Sequence, residues 1–412
     1  MGQMMGDVTD GQSVYRVMIY SHDTYGLGHL RRSLAIADAL VKRFSNIHVL
    51  IISGSSVAHA FTAKDRVTFV TLPPVTKFKD GGYGSVDISV TFDDVIALRQ
   101  SLIIQAAKDF SPDLFLVDKE PCGLHGEVLP ALEIVQKSGA TIVLGLRDVL
   151  DEPRALEDEW KQKGAFDAIE TFYEEIWVYG CEDFYDPLQD LPFADETRRK
   201  VRFLGFLRRE APVASLNTTY ETVTDNSVLV MAGGGGDGEA LMHATMNAIE
   251  HSPSDLPLNL NYIFVLGPFI PGDSEDALHS RAESHERIFL RRFDTQIEAL
   301  YAKAELVIAM GGYNTFCEIM SFDKKALILP RIEPRLEQWI RADRARELDL
   351  LACLDPKSAQ NPGYMNTAIA TAMDRPTPSQ SHTVPDFGGL ERLCDVIAFF
   401  MVRQPLSRVI AV

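Results

Sequence analysis

No Cys-x-x-Cys pair occurs in this chain; its five cysteines, Cys122, Cys181, Cys317, Cys353 and Cys394, are scattered. That spacing offers no zinc framework and suits reduced thiols in a cytosol. Positive charge is also in short supply. Lys and Arg number 40 against 58 Asp and Glu, a formal net charge of -18. Such an excess argues against a nucleic-acid partner. It also argues against a broadly basic face on anionic lipid, leaving room only for a local patch. No apolar run is long enough to span a bilayer, and the N-terminus lacks the charged and apolar pattern of a signal segment. The expectation is a cytoplasmic protein with at most peripheral contact at the inner face of a membrane. Asp-x-Asp is absent, so a metal-clamped diphosphate is not indicated, and neither metal nor cofactor is expected. The three spaced glycines of the dinucleotide fingerprint are missing as well.

What is present is a repeated pattern of strand, glycine-rich turn and helix. A chain of 412 residues suggests two or three domains. Residues 1–13 are polar and Gly-rich and read as disordered. Val14 to Tyr20 reads as a strand leading into Gly26-Leu27-Gly28-His29. A helix with Leu34, Ile36, Ala37, Leu40 and Val41 at helical spacing follows. Val49 to Ile52 and Val67 to Leu72 are further strands. Pro73 to Thr91 is a long loop of the functional or mobile kind. Asp93 to Lys108 is helical in pattern, and Leu114 to Asp118 is a strand ending on a carboxylate. Ligands of open α/β sheets sit at the carboxyl ends of strands, which marks Asp118. Thr141 to Leu146 ends at Arg147-Asp148, Glu152 to Tyr173 reads as helix, and Glu175 to Tyr179 and Val201 to Leu204 close this half.

The pattern breaks between Gly205 and Ser215, where the linker is expected. Ser227 to Met231 then runs into Ala232-Gly233-Gly234-Gly235-Gly236-Asp237-Gly238, and Glu239 to Ile249 is a helix. Tyr262 to Leu266 and Ile288 to Arg291 are strands, with Phe293 just beyond. Leu306 to Ala309 feeds a second glycine turn, Gly311-Gly312, before the helix carrying Thr315 and Glu318. A strand, a glycine turn and a helix N-terminus form a ready anion site, and Glu318 is one turn further in. A sugar nucleotide would satisfy both halves of that arrangement. Pro334 to Leu348 reads as a helix with Glu337 and Gln338. The arginines at 331, 335, 341, 344 and 346 read as solvating it, with one in reach of a phosphate. Gln360 to Asp386 is rich in Pro, Ser and Thr in its later part, and Leu390 to Val402 closes as a helix. The domains expected are 14–207 on the acceptor side, 208–386 for the donor, and a helix within 387–412 returning to the first. The fold class is α/β, with two doubly wound Rossmann-like halves facing a cleft.

On these motifs the chain resembles the family 28 glycosyltransferases of GT-B fold, the peptidoglycan N-acetylglucosaminyltransferase family. The likeness is closest to a genome-defined branch of predicted glycosyltransferases. It implies a metal-independent transfer from a nucleoside diphosphate sugar, a UDP-sugar by that likeness, to an acceptor hydroxyl. The acceptor (a saccharide, a lipid-linked molecule or a small molecule) is left open. Gly233, Gly234, Gly235, Gly236 and Gly238 match the diphosphate-facing loop, and Gly311, Gly312 and Thr315 match the second phosphate turn. Phe293 stands at the base-reading position, Glu318 at the ribose position, and Glu337-Gln338 at the pair that grips the transferred sugar. Gly26 and Gly28 match the acceptor-side turn. His29 is the candidate base, because imidazole titrates near neutral pH. Asp118 would orient it as carboxylates do in triads, an arrangement similar to that of plant-type natural-product glycosyltransferases. Arg31, Arg32 or Arg292 would assist the leaving diphosphate. Tyr313-Asn314 departs from the small residue usual after the second turn. Two other readings share the architecture: a sugar-nucleotide 2-epimerase or hydrolase, which would want acids converging on the sugar, and a sugar-nucleotide sensor without turnover.

Overall fold

The computed structural model describes residues 13–22, 27–55, 58, 65–77, 82–86, 89–210, 226–234, 236–251, 260–294 and 297–403. The expected disorder of 1–13 lies almost wholly outside them, as do Gly26, Gly235 and residues 404–412.

The first half is built on β1 (Tyr15–Ser21), α1 (Gly28–Arg43), β2 (Ile47–Ser53) and β3 (Val67–Thr71). A small antiparallel hairpin follows, β4 (Val75–Lys77) with β5 (Tyr83–Ser85). It sits inside the stretch the sequence reads as a long loop. Next come α2 (Phe92–Phe110), β6 (Leu114–Asp118), α3 (Leu129–Lys137) and β7 (Thr141–Arg147). Two helices, α4 (Pro153–Lys163) and α5 (Ala165–Phe172), replace the single one expected from Glu152 to Tyr173. Gly164 separates them at φ +66°, a left-handed backbone that ends a helix. The half closes with β8 (Glu175–Tyr179), α6 (Asp195–Arg198) and β9 (Val201–Phe203). Its seven-stranded sheet has the order β3-β2-β1-β6-β7-β8-β9, and every pairing is parallel. Strands buried on both faces explain the near-continuous apolar runs in the sequence.

The second half repeats the plan. It holds β10 (Ser227–Met231), α7 (Glu239–Glu250), β11 (Asn261–Val265), α8 (Gly272–Ala282) and β12 (Ile288–Arg291). These are followed by α9 (Ile297–Lys303), β13 (Ala304–Ala309), α10 (Tyr313–Ser321), β14 (Lys325–Ile328), α11 (Glu337–Glu347) and β15 (Ala352–Cys353). The six strands run β12-β11-β10-β13-β14-β15, again all parallel. A helix the sequence reading missed, α12 (Pro362–Asp374), covers part of this sheet. Its signal was present: Asn361 caps it by accepting from the Gly363 and Tyr364 backbone N–H groups, Pro362 takes the first turn, and Met365, Ile369 and Ala372 are buried on one face.

The last helix, α13 (Gly389–Arg403), lies against α1 in the first half. The outgoing and returning connections touch. Phe206 N–H donates to the Asp386 carbonyl at 2.8 Å and Gly389 N–H to the Phe206 carbonyl at 3.1 Å. A Cβ on Gly389 would lie 2.4 Å from the Gly205 oxygen, so only glycine lets the two chains pass. Here the apolar layers of both halves merge. Phe206 packs on Phe184, Phe316 and Phe387 within ring distances of 5.1–5.2 Å. Burying Ile36, Leu40 and Val41 of α1 contributes about 1.5–3 kcal/mol each to this layer.

Candidate active site

In each sheet the connections change direction at one place, between β1 and β6 in the first and between β10 and β13 in the second. Crevices at such points collect ligands. Here the two points face each other across one cleft. Its walls include Gly28, His29, Arg31, Arg32 and Arg147 from the first half. From the second come Gly233, Gly234, Gly236, Phe269, Phe293, Gly312, Thr315, Arg331 and Gln338.

The first switch point is made of charged side chains. His29 sits in the first turn of α1 and Asp118 ends β6, and the fold brings them together. Nδ1 of His29 lies 2.5 Å from Oδ2 of Asp118. Arg32, one turn along α1, clasps the same carboxylate through Nε at 2.8 Å and Nη2 at 2.6 Å. Burial pushes the His29 imidazole down to about 4, against the opposing pull of Asp118. Burial alone would raise Asp118, but Arg32 and then His29 override it and hold the carboxyl well below the usual range. The pair is therefore a neutral imidazole beside a fixed carboxylate at neutral pH. With Nδ1–H donating to Asp118, Nε2 keeps a lone pair for a substrate proton.

The second switch point is made of backbone. Gly311 has φ +79°, and a Cβ there would lie 2.7 Å from Cγ2 of Ile328. Gly238 abuts Ala232, whose Cβ would lie 2.0 Å from an added one. Gly312 and Gly233 by contrast look into open space. Among the described residues, the helices that start here, α7 after Gly238 and α10 after Gly312, have no side-chain cap hydrogen bond. Uncapped N-termini carry partial positive charge and free donors, the requirements for an oxyanion. Helices α2 and α4 are capped by Thr91 and Glu152.

The remaining expected residues are placed as follows. Gln338 lines the cleft, and its Oε1 accepts from the Arg331 N–H at 2.9 Å. Glu337 is not itself on the wall but accepts from the wall residue Arg331, with Oε1 at 2.5 Å from Nη2. Glu318 is wholly buried behind Arg31, whose Nη2 stands 2.7 Å from its Oε1. Besides Arg31, the Tyr301 hydroxyl also interacts with this carboxylate. Burial raises its pKa.

The assisting cations expected from sequence need correction. Arg31 is engaged by Glu298 and Glu318, and Arg32 by Asp118. Arg292 is not on the cleft wall and lies 3.4 Å from Glu275. The arginine helix is not simply solvated either. Arg341 is buried and grips Asp148 of the first half with two bonds, of 2.7 and 2.6 Å. Arg335 reaches Asp151 and Glu159, and Arg344 the carbonyls of Asp183 and Phe184. Tyr313 and Asn314 also join the halves. Asn314 donates to the Gly28 carbonyl at 2.9 Å and accepts from Arg209 at 2.7 Å, while Tyr313 lies between Arg32 and Arg341. Sequence reasoning missed Arg147, although the strand-end rule that marks Asp118 applies equally to it.

Over residues 244–338 the chain matches the glycosyltransferase family 28 C-terminal domain. One curated relative is the UDP-N-acetylglucosamine–N-acetylmuramyl-(pentapeptide) pyrophosphoryl-undecaprenol N-acetylglucosamine transferase of an Exiguobacterium species. It is 27% identical over 136 residues, covering 32% of this chain and 36% of that protein. The match thus spans little more than a third of the relative's length. Among solved structures, the calicheamicin glycosyltransferase CalG4 superposes with a TM-score of 0.59 at 14% identity, over 96% of this chain and 100% of that one. MurG of Acinetobacter baumannii gives 0.53 at 13%, over 93% and 99%. The UDP-GlcNAc 2-epimerase of Methanocaldococcus jannaschii gives 0.58 at 10%, over 94% and 100%. At such identities these neighbours speak for the fold, and the fold is GT-B. No helix among the described residues is long and apolar enough to cross a membrane.

Proposed function

We propose that this chain, a GT-B protein with a domain of the family 28 type, transfers a sugar from a nucleoside diphosphate donor to a hydroxyl acceptor. The observation that carries the reading is the pairing of two unlike corners in one cleft: a neutral His29 backed by Asp118 on one side, glycine turns with bare helix N-termini on the other. In the proposed reaction Nε2 of His29 takes the acceptor proton and the acceptor oxygen attacks the anomeric carbon. The bond from that carbon to the diphosphate oxygen breaks. Backbone N–H groups around Gly233 to Gly238 and at Gly312 to Thr315 receive the departing charge. Phe293 would face the base, Glu318 the ribose diol, and Gln338 the transferred sugar. Ribose would displace Arg31 from Glu318, since both need the same oxygens. A UDP-sugar is the donor named for the curated relative, and it is the donor we propose here, with no metal in the step. The acceptor is a saccharide, a lipid-linked molecule or a small molecule.

The 2-epimerase reading wants several acids converging on the sugar. Among the described residues the cleft wall has two, Asp237 beside Arg331 and Asp294 near Arg291. Asp118, Glu318 and Glu337 are not on it. Release of UDP from a panel of UDP-sugars, with and without a mixture of acceptors, separates the readings. Release that requires an acceptor supports transfer. Isomerised or hydrolysed sugar without an acceptor refutes it, and binding without turnover points to a sensor.

A further inference from the structure

The leaving diphosphate needs a cation, and those expected from sequence are occupied. Of the four arginines on the cleft wall among the described residues, three are committed: Arg31 to Glu298 and Glu318, Arg32 to Asp118, and Arg331 to Asp237 and Glu337. Arg147 differs. It ends β7, lines the cleft together with His29, the glycine turn and Gln338, and its side chain forms no hydrogen bond or ion pair among the described residues. Its Nε is buried without a partner. A buried guanidinium nitrogen left unpaired is costly, and such groups in native proteins call for an explanation. Burial pushes Arg147 down to about 10 against the attraction of Glu337, and the neighbouring Arg341 and Arg32 add to that push.

We infer that Arg147, from the acceptor-side half, binds the terminal phosphate of the nucleoside diphosphate across the cleft from the glycine turns. The inference rests on the nucleotide-sugar reading above. It adds that the diphosphate is held from both halves. Backbone N–H groups of the second half supply dipoles, and Arg147 supplies a full charge with a planar fork suited to phosphate oxygens. The charge meets the leaving group only when the halves are together, so departure of the diphosphate is favoured in the closed form, where water is excluded.

Calorimetric titration of the full chain with UDP and with UMP tests this, because the two probes differ by the phosphate in question. The native chain is expected to favour UDP over UMP by roughly 10- to 100-fold. In Arg147→Gln that ratio should drop by roughly tenfold, with UMP affinity nearly unchanged. A folding defect would weaken both probes alike and leave the ratio intact. Arg147→Met removes the same charge and serves if the glutamine variant does not fold. An unchanged ratio in the folded variant overturns the assignment and leaves the donor reading standing; it is also the outcome if Arg147 meets an anion on the acceptor. No binding of either probe by the native chain overturns both.

Discussion

The two switch points solve the same problem with different materials. At the first, between β1 and β6, the work is assigned to side chains: an imidazole, a carboxylate and a guanidinium bonded into one cluster. At the second, between β10 and β13, side chains are withdrawn and the backbone itself is presented. The difference follows from the tasks proposed for them. Moving a proton needs a group of tuned pKa at one atom. Holding a diphosphate needs several donors in a close array, which only backbone without Cβ atoms offers.

The sharpest way to break the contrast is at His29. His29→Ala should lower transfer by about 10²–10⁴-fold while nucleotide binding, read by titration, stays as it was. Loss of both together would merge the two corners into one. At the second corner, Gly311→Ala should cost about 1–3 kcal/mol of stability through its positive φ and the Ile328 contact. Gly312→Ala has space and no strain, so its thermal midpoint should be unchanged and its UDP affinity reduced. Equal midpoints for the two variants would contradict this division. Glu318→Gln should weaken UDP binding by roughly tenfold, about 1.4 kcal/mol; unchanged affinity removes the ribose role.

The smallest effect expected is from pH. Because His29 is pushed down to about 4, the base is neutral from pH 5 to 8, and its activity is lost only as pH falls towards 4. An acid limb of the rate profile near the ordinary 6.5 would show that the imidazole is not desolvated in the working enzyme.

The legible part of the molecule was local. Strands such as Leu114–Asp118 and Ser227–Met231 announce themselves by buried apolar runs, and the glycine turns by composition. Helix α12 was legible too, through Asn361-Pro362, but its small alanines diluted the apolar stripe. What could not be read were pairings across the chain. Arg341 looks like a surface arginine until Asp148, 193 residues away, is placed against it. Arg31 and Arg32 look like free cations until Glu318 and Asp118 are seen to hold them. Such assignments depend on which strands become neighbours, and no local pattern records that.

The contact at Gly205, Phe206 and Gly389 makes the second half topologically an insertion. The first half begins at β1 and is finished only by α13, after the whole donor-side sheet has been threaded through. A fragment stopped near residue 207 would leave the Ile36 and Leu40 flank of α1 bare, lacking the Leu393 and Ile397 side chains that share its core. The domain that starts first in synthesis is thus completed last, and dissection of this protein has to join its two ends rather than cut at its middle.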